Sequence, residues 1–314
     1  MLAGCNTEKK NLSADATTPS DQNLSSDQGT QQISRKINMP SIKNQHLNIA
    51  YASDSDAQIL DIFIPQGDGP FPAVILIHGG AFRLGDKVMD YDTAKVLVAN
   101  GYAAIPINYR LSGEALFPAA IHDCKAAIRY IRANSEKYNI DPNKIASMGA
   151  SAGGYFSAMM GTSAGDKYID GTVGNYEHFS SDIAAAVIWF GPIDFSTMVS
   201  EAKMLGMKED YNVDNETKFL GVDANDSANA AIVARANPTT YIDVNDPPVF
   251  IQVGSEDPLV PYTQSLNFYK ALKNVMGTEQ VSYELIKGAG HGGKEFNTDN
   301  NLDKVVGFFD KYLK

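Results

Sequence analysis

Ser151 sits in the frame Gly149-Ala-Ser-Ala-Gly153, where the apolar run Lys144-Ile-Ala-Ser-Met148 gives way to a helical pattern. A serine hydroxyl is a poor nucleophile, and chemistry that uses one must expose it on a strained turn beside a base. Such a turn forces the serine backbone toward positive φ and needs small neighbours. Gly149, Ala150, Ala152, Gly153 and Gly154 supply them. A base and an acid to orient it follow downstream. The run Pro248-Val-Phe-Ile-Gln-Val-Gly254 leads into Ser255-Glu-Asp-Pro258, and Val281-Ser-Tyr-Glu-Leu-Ile286 leads into a glycine-framed His291. Ser151, Asp257 and His291 thus each lie just past an apolar run of strand length, where doubly wound sheets place their sites. Glu256 and Asp194 compete with Asp257 for the acid position.

These groups need a scaffold. Residues 47–53 and 58–65 read as an antiparallel pair joined through Ser-Asp-Ser-Asp. Strands are expected at 73–77, 103–108, 144–149, 183–190, 248–253 and 281–286. Helices are expected at 92–100, at 117–138 (opened by Pro118), after Ser151, at 263–275 and at 302–312. The alternation predicts an α/β fold, a mostly parallel central sheet with helices on both faces. Residues 162–181 and 195–244 fit no sheet position and read as insertions over the C-terminal sheet edge, forming a small cap. Neither carries the long Leu- and Phe-rich amphipathic helix of a lid for oil–water interfaces.

Several segments are similar to the α/β-hydrolase esterases: His78-Gly-Gly-Ala-Phe82, Asn108-Tyr-Arg-Leu111, Phe117-Pro-Ala119, Gly149-Ala-Ser-Ala-Gly-Gly154, Trp189-Phe-Gly-Pro-Ile-Asp194 and Gly254-Ser-Glu-Asp-Pro-Leu-Val-Pro261. They resemble the bacterial carbohydrate-esterase branch, which includes acetylxylan and feruloyl esterases, with the hormone-sensitive-lipase-like carboxylesterases as near relatives. The resemblance covers roughly residues 45–314. It implies an α/β-hydrolase fold, the triad order Ser151, Asp257, His291, and an oxyanion hole formed by the N–H groups of Gly80, Ala81 and Ala152. Ala81 stands where many relatives carry a third glycine, and Ala150 where the lipase-like branch usually has Asp; the latter favours the carbohydrate-esterase branch. The implied activity is serine-dependent hydrolysis of short acyl esters, with acetyl or feruloyl groups on plant polysaccharides as the branch's substrates. An arylformamidase or peptidase on the same fold is the nearest alternative, although such peptidases usually depend on a further large domain. A catalytically silent small-molecule binder is the alternative from another class.

At 314 residues, 44% hydrophobic and 20% charged, the chain has ample material for one sizeable core. Its net charge of −11 falls outside the first forty residues, where four acids balance four bases. That argues against nucleic acid or an anionic membrane as partner. Two cysteines cannot supply a disulfide framework, and no His, Cys and carboxylate cluster has metal-ligand spacing, so neither a metal nor another cofactor is expected. Phe82, Tyr155, Trp189 and Tyr262 flank motif positions and are candidates for lining a substrate pocket, with Tyr109 beside them. His78 is expected to be a structural hydrogen-bonder, and His122, Asp123 and Cys124 packing or capping groups on the long helix.

The start of the chain reads differently. Met1-Leu-Ala-Gly-Cys5 resembles the end of a bacterial lipoprotein signal in which the cysteine becomes lipidated, although the same few residues also arise by chance. The apolar stretch that should precede them is missing, so the start reads as truncated or recombinant. Residues 6–32 contain no Val, Ile or aromatic residue, and such a segment cannot offset its ordering entropy by burial. The expectation is a disordered tether over residues 1–40 and a catalytic domain over 41–314. The native protein would then be an exported lipoprotein, held to the periplasmic or outer face of a bacterial membrane through Cys5.

Overall fold

The computed structural model describes residues 42–314; the lipoprotein-like start and the whole of the proposed tether lie outside them. Along the strand β3 the reason for the fold can be read directly. Ala73, Ile75 and Ile77 enter one hydrophobic layer while Val74 and Leu76 enter the other. A strand buried on both faces must be apolar at every position, which is what a covered parallel sheet demands.

Eight strands form one sheet: β1 (Gln45–Ala50), β2 (Ile59–Phe63), β3 (Phe71–Ile77), β4 (Ala103–Ile107), β5 (Ile140–Ala150), β6 (Ala186–Trp189), β7 (Val249–Gly254) and β8 (Val281–Ile286), in the order β1-β2-β4-β3-β5-β6-β7-β8. β1 and β2 join antiparallel, as does β2 with β4; every other pairing is parallel. The helices are α1 (Tyr91–Ala99), α2 (Ala119–Ala133), α3 (Ala152–Thr162), α4 (Lys167–Asp170), α5 (Met198–Met204), α6 (Asp214–Leu220), α7 (Ala230–Arg235), α8 (Tyr262–Met276) and α9 (Asp299–Leu313). Ile121, Cys124, Ile128 and Ile131 of α2, Phe156 and Met159 of α3, and Phe268 and Leu272 of α8 pack into one layer. Ala94 and Leu97 of α1 with Val305 and Phe309 of α9 pack into the other. Each Leu, Ile or Phe so buried contributes about 1.5–3 kcal/mol. The mostly parallel α/β architecture expected from the alternation is present, in the α/β-hydrolase form that the resemblance implied.

The long helix is shorter than its pattern suggested. It ends at Ala133, and the chain turns through Asn139, whose φ of 55° lies in the left-handed region that Asn tolerates. β5 accordingly starts early, at Ile140, and carries Asp141-Pro142 across a register shift between its pairing of Ile140 with Phe71 and of Ile145 with Ala73. Such irregularities are where a strand admits proline. Asp123 of α2 is buried and accepts a two-pronged contact from Arg110, with Oδ1 2.7 Å from Nη2, as well as a bond from Gln58. This fixes α2 to the end of β4.

The chain runs from β3 outward to β4, then returns to place β5 on the other side of β3. The C-terminal ends of β3 and β5 therefore flank the point where the winding reverses, the position at which open α/β sheets form their binding crevice.

Candidate active site

Ser151 follows β5 directly and precedes α3, with φ 58° and ψ −122°. The strain is held by contacts on both sides. Ser151 N–H donates to the Trp189 carbonyl on β6 at 2.9 Å, and α3 docks hard against β3. A Cβ at Gly153 would stand 1.8 Å from the Ile77 carbonyl oxygen, so only glycine lets the helix approach there. Ala152 opens α3, and the N–H groups of a first helical turn have no partner within the helix.

His291 lies beyond β8 in a loop with Gly292 at φ 81° and Gly293 at φ 103°. Its Nε2 is 2.8 Å from Ser151 Oγ, and its Nδ1 is 2.7 Å from Asp257 Oδ2. An ionised carboxylate only accepts, so the proton belongs on Nδ1 and the bare Nε2 faces the serine hydroxyl. Asp257 Oδ1 accepts from the N–H groups of Leu259 and Val260 at 2.8 and 2.9 Å. Both carboxylate oxygens are thereby committed, and the Asp257 side chain is fully enclosed. Of its competitors, Glu256 is exposed, and Asp194 turns onto the N–H and hydroxyl of Ser196.

The loop after β3 is bent by three successive positive φ values, 123° at Gly80, 52° at Ala81 and 64° at Phe82. Ala81 and Ala152 line the same cleft as Ser151 and His291; Gly80 adjoins Ala81, its carbonyl accepting from Arg83 and Leu84. His78 is buried, stacked on Tyr109 with centroids 4.4 Å apart, and its Nδ1 donates to the Gly79 carbonyl at 2.7 Å. Burial pushes its pKa down, which keeps the ring neutral. His78 therefore holds the loop and faces no reacting group.

Of the four aromatic candidates, Phe82 alone lines the Ser151 cleft, whose volume is about 290 Å³. Tyr155 is buried beneath Phe82, its hydroxyl donating to the Ala236 carbonyl. Trp189 is buried with its indole N–H on Gln252, because both rings are drawn into the core by the layers they cap. Tyr262 lines a neighbouring depression that also touches Asp257. Several lining residues carried no signal in the sequence: Met198, Lys208, Asp210, Tyr211, Asn212, Asn215 and Glu216. The insertion that supplies them is anchored by Phe219, which stacks on Phe82 at 4.4 Å. Phe190 was missed as well; it presents its ring to His291 with centroids 4.8 Å apart.

Residues 60–272 match the family described as BD-FAE. Among curated proteins the chain is 29% identical over 248 residues to Esterase LipC of Mycobacterium tuberculosis, covering 76% of this chain and 58% of that protein. It thus spans under two thirds of the length of that relative. A solved carbohydrate esterase from gut microbiota, in truncated form, shares 32% identity and superposes with a TM-score of 0.80, covering 88% of this chain and 98% of that one. A bifunctional GH43-CE protein of Bacteroides eggerthii shares 35% identity with a TM-score of 0.77, over 86% of this chain and 35% of its own.

Proposed function

This chain belongs to the BD-FAE family, and from that premise we propose that it is a serine carboxylic-ester hydrolase acting on short acyl esters, acetyl or feruloyl groups on plant polysaccharides among them. One observation carries the reading: an unbroken hydrogen-bond chain from Asp257 through His291 to Ser151. Ser151 Oγ attacks the ester carbonyl as its proton passes to His291 Nε2. The N–H groups of Gly80, Ala81 and Ala152 receive the negative charge on the carbonyl oxygen. Collapse breaks the ester C–O bond, and the departing alcohol takes the proton from His291. Water then attacks the acyl-serine by the same route, returning the proton to Ser151 and releasing the acid. Asp257 holds the imidazole tautomer and supports its transient charge.

The test is covalent labelling with a fluorophosphonate probe together with hydrolysis of p-nitrophenyl acetate. The wild-type protein should be labelled and active, while Ser151→Ala should lose labelling and about 10³-fold or more of the rate. An active Ser151→Ala variant would overturn the assignment. For the N-terminal segment the reading remains a polar tether with a lipidated Cys5 that holds the enzyme at a bacterial membrane surface. It is supported by Leu2-Ala-Gly-Cys5 and the composition that follows. Radiolabelled palmitate entering the full precursor but not its Cys5→Ala variant would test it.

A further inference from the structure

The cleft around Ser151 has two kinds of wall. Phe82, Pro192, Met198, Leu259 and Val260 make one side apolar; apart from Ser151 and His291, the polar lining residues come from the single segment 208–216. Within that segment most side chains reach solvent, but Glu216 does not. It is 8% exposed and lines the cleft, and no side-chain hydrogen bond or ion pair among the described residues reaches its carboxyl group. Its carboxyl accepts from its own backbone N–H, which leaves most of its acceptor positions open; burying a carboxyl so thinly satisfied is costly, and an apolar residue would be a cheaper choice at this position of α6. A group kept in that condition beside a nucleophile is poised for something that enters the cleft.

Its chemistry narrows what that is. Burial is the largest influence on the carboxyl group; the bond from its own backbone N–H opposes it, Asp214 adds to it, and the net effect pushes its pKa up to about 7. Near neutral pH both the protonated and the ionised form are then present. An ammonium ligand satisfies only the ionised form and an anion only the protonated one. A hydroxyl group both donates and accepts, and so satisfies either. The neighbours Asn212 and Asn215 in the same wall are likewise suited to neutral hydroxyls.

We propose that Glu216 is a specificity-determining residue that hydrogen-bonds a hydroxyl on the alcohol portion of a polyhydroxylated ester, the acyl group lying against the wall formed by Phe82 and Met198. This rests on the esterase reading and adds to it a side of the cleft and a residue. A sugar next to the scissile ester presents such hydroxyls; a nitrophenol does not.

The experiment compares kcat/KM for a monoacetate of methyl β-D-xylopyranoside, for p-nitrophenyl acetate and for methyl ferulate, in wild type, Glu216→Ala and Glu216→Gln. The alanine variant should lower the ratio of acetylxyloside to p-nitrophenyl acetate kcat/KM about tenfold or more, as loss of a hydrogen bond to a buried charged group does. Gln, which keeps both donor and acceptor, should restore most of that ratio. An unchanged ratio, or equal losses on both acetates, would overturn the proposal. A loss confined to methyl ferulate would move the hydroxyl to the acyl side and also overturn it. If wild type hydrolyses none of the three esters and takes no fluorophosphonate label, the esterase reading itself fails, and the proposal with it.

Discussion

Asp257 gives one carboxylate oxygen to His291 Nδ1 at 2.7 Å and the other to the N–H groups of Leu259 and Val260. The acid is therefore aimed by its own loop before the histidine arrives. Pro258 assists, since the residue before a proline is confined to extended geometry.

Asp257→Asn should leave the fold intact and lower kcat by about 10²–10⁴-fold, because an amide presents its NH2 where Nδ1–H must donate and so favours the wrong tautomer. Glu256→Gln should cost less than about tenfold, its exposed charge being screened by solvent. Steady-state kinetics on p-nitrophenyl acetate decide between them. A larger loss in the Gln variant would show that the acid has been misassigned.

His78 acts at one remove. Its Nδ1 holds the Gly79 carbonyl, and in a trans peptide the Gly80 N–H points the opposite way from that carbonyl. His78→Phe keeps a ring to stack on Tyr109 but removes the donor. The expected result is a kcat about tenfold or more lower with KM little changed, since losing an oxyanion donor outright costs about 10²–10³-fold. A rise in KM with unaltered kcat would mean that the residue serves substrate binding instead.

Two glycines on helices should answer oppositely to alanine. At Gly153 the new Cβ would collide with the Ile77 carbonyl at 1.8 Å, backbone that cannot move aside. Gly153→Ala should therefore cost about 3 kcal/mol or more, or prevent folding. Gly307, exposed within α9, has nothing within 4 Å of that position. Gly307→Ala should stabilise by about 0.5–1 kcal/mol through helix propensity. Urea denaturation of the pair measures both, and similar shifts would show that the close approach of α3 to β3 is misplaced.

The sequence carried the sheet because strands buried on both faces must be continuously apolar and must end in turns that glycine permits. It carried Ser151 and His291 for the same reason: their neighbours are constrained by backbone geometry, which leaves a local trace. Glu216 left none. The segment Asp214-Asn-Glu-Thr-Lys-Phe-Leu220 reads as an ordinary solvated helix. Its burial depends on where the fold places α6, whose Phe219 stacks on Phe82, a contact between distant parts of the chain. Tyr155 and Trp189 mislead in the converse way, since adjacency to a motif in sequence says nothing of which side of the sheet layer a ring enters. The end of α2 was hidden because it closes at Asn134 with an ordinary negative φ of −108° rather than at a glycine, a conformation open to many residue types that leaves no strong signature.

The buried carboxyl of Glu216 should also appear in the pH dependence of stability. Its folded pKa of about 7 lies above the ordinary 4.5, so between those values the native state holds a proton that the unfolded chain has released. Stability must then fall as pH rises through this window, and the full penalty is present above pH 7. A shift of that size corresponds to at most about 3 kcal/mol. Asp90, pushed up to about 7, and Asp246, to about 6, act in the same direction, but they are common to wild type and variant and cancel in a difference. Glu216→Gln cannot ionise. The Tm of the variant minus that of wild type should therefore increase steadily from pH 5 to pH 8, by several degrees in all. A difference that stays constant across that range would show that the carboxyl is better solvated than its position implies.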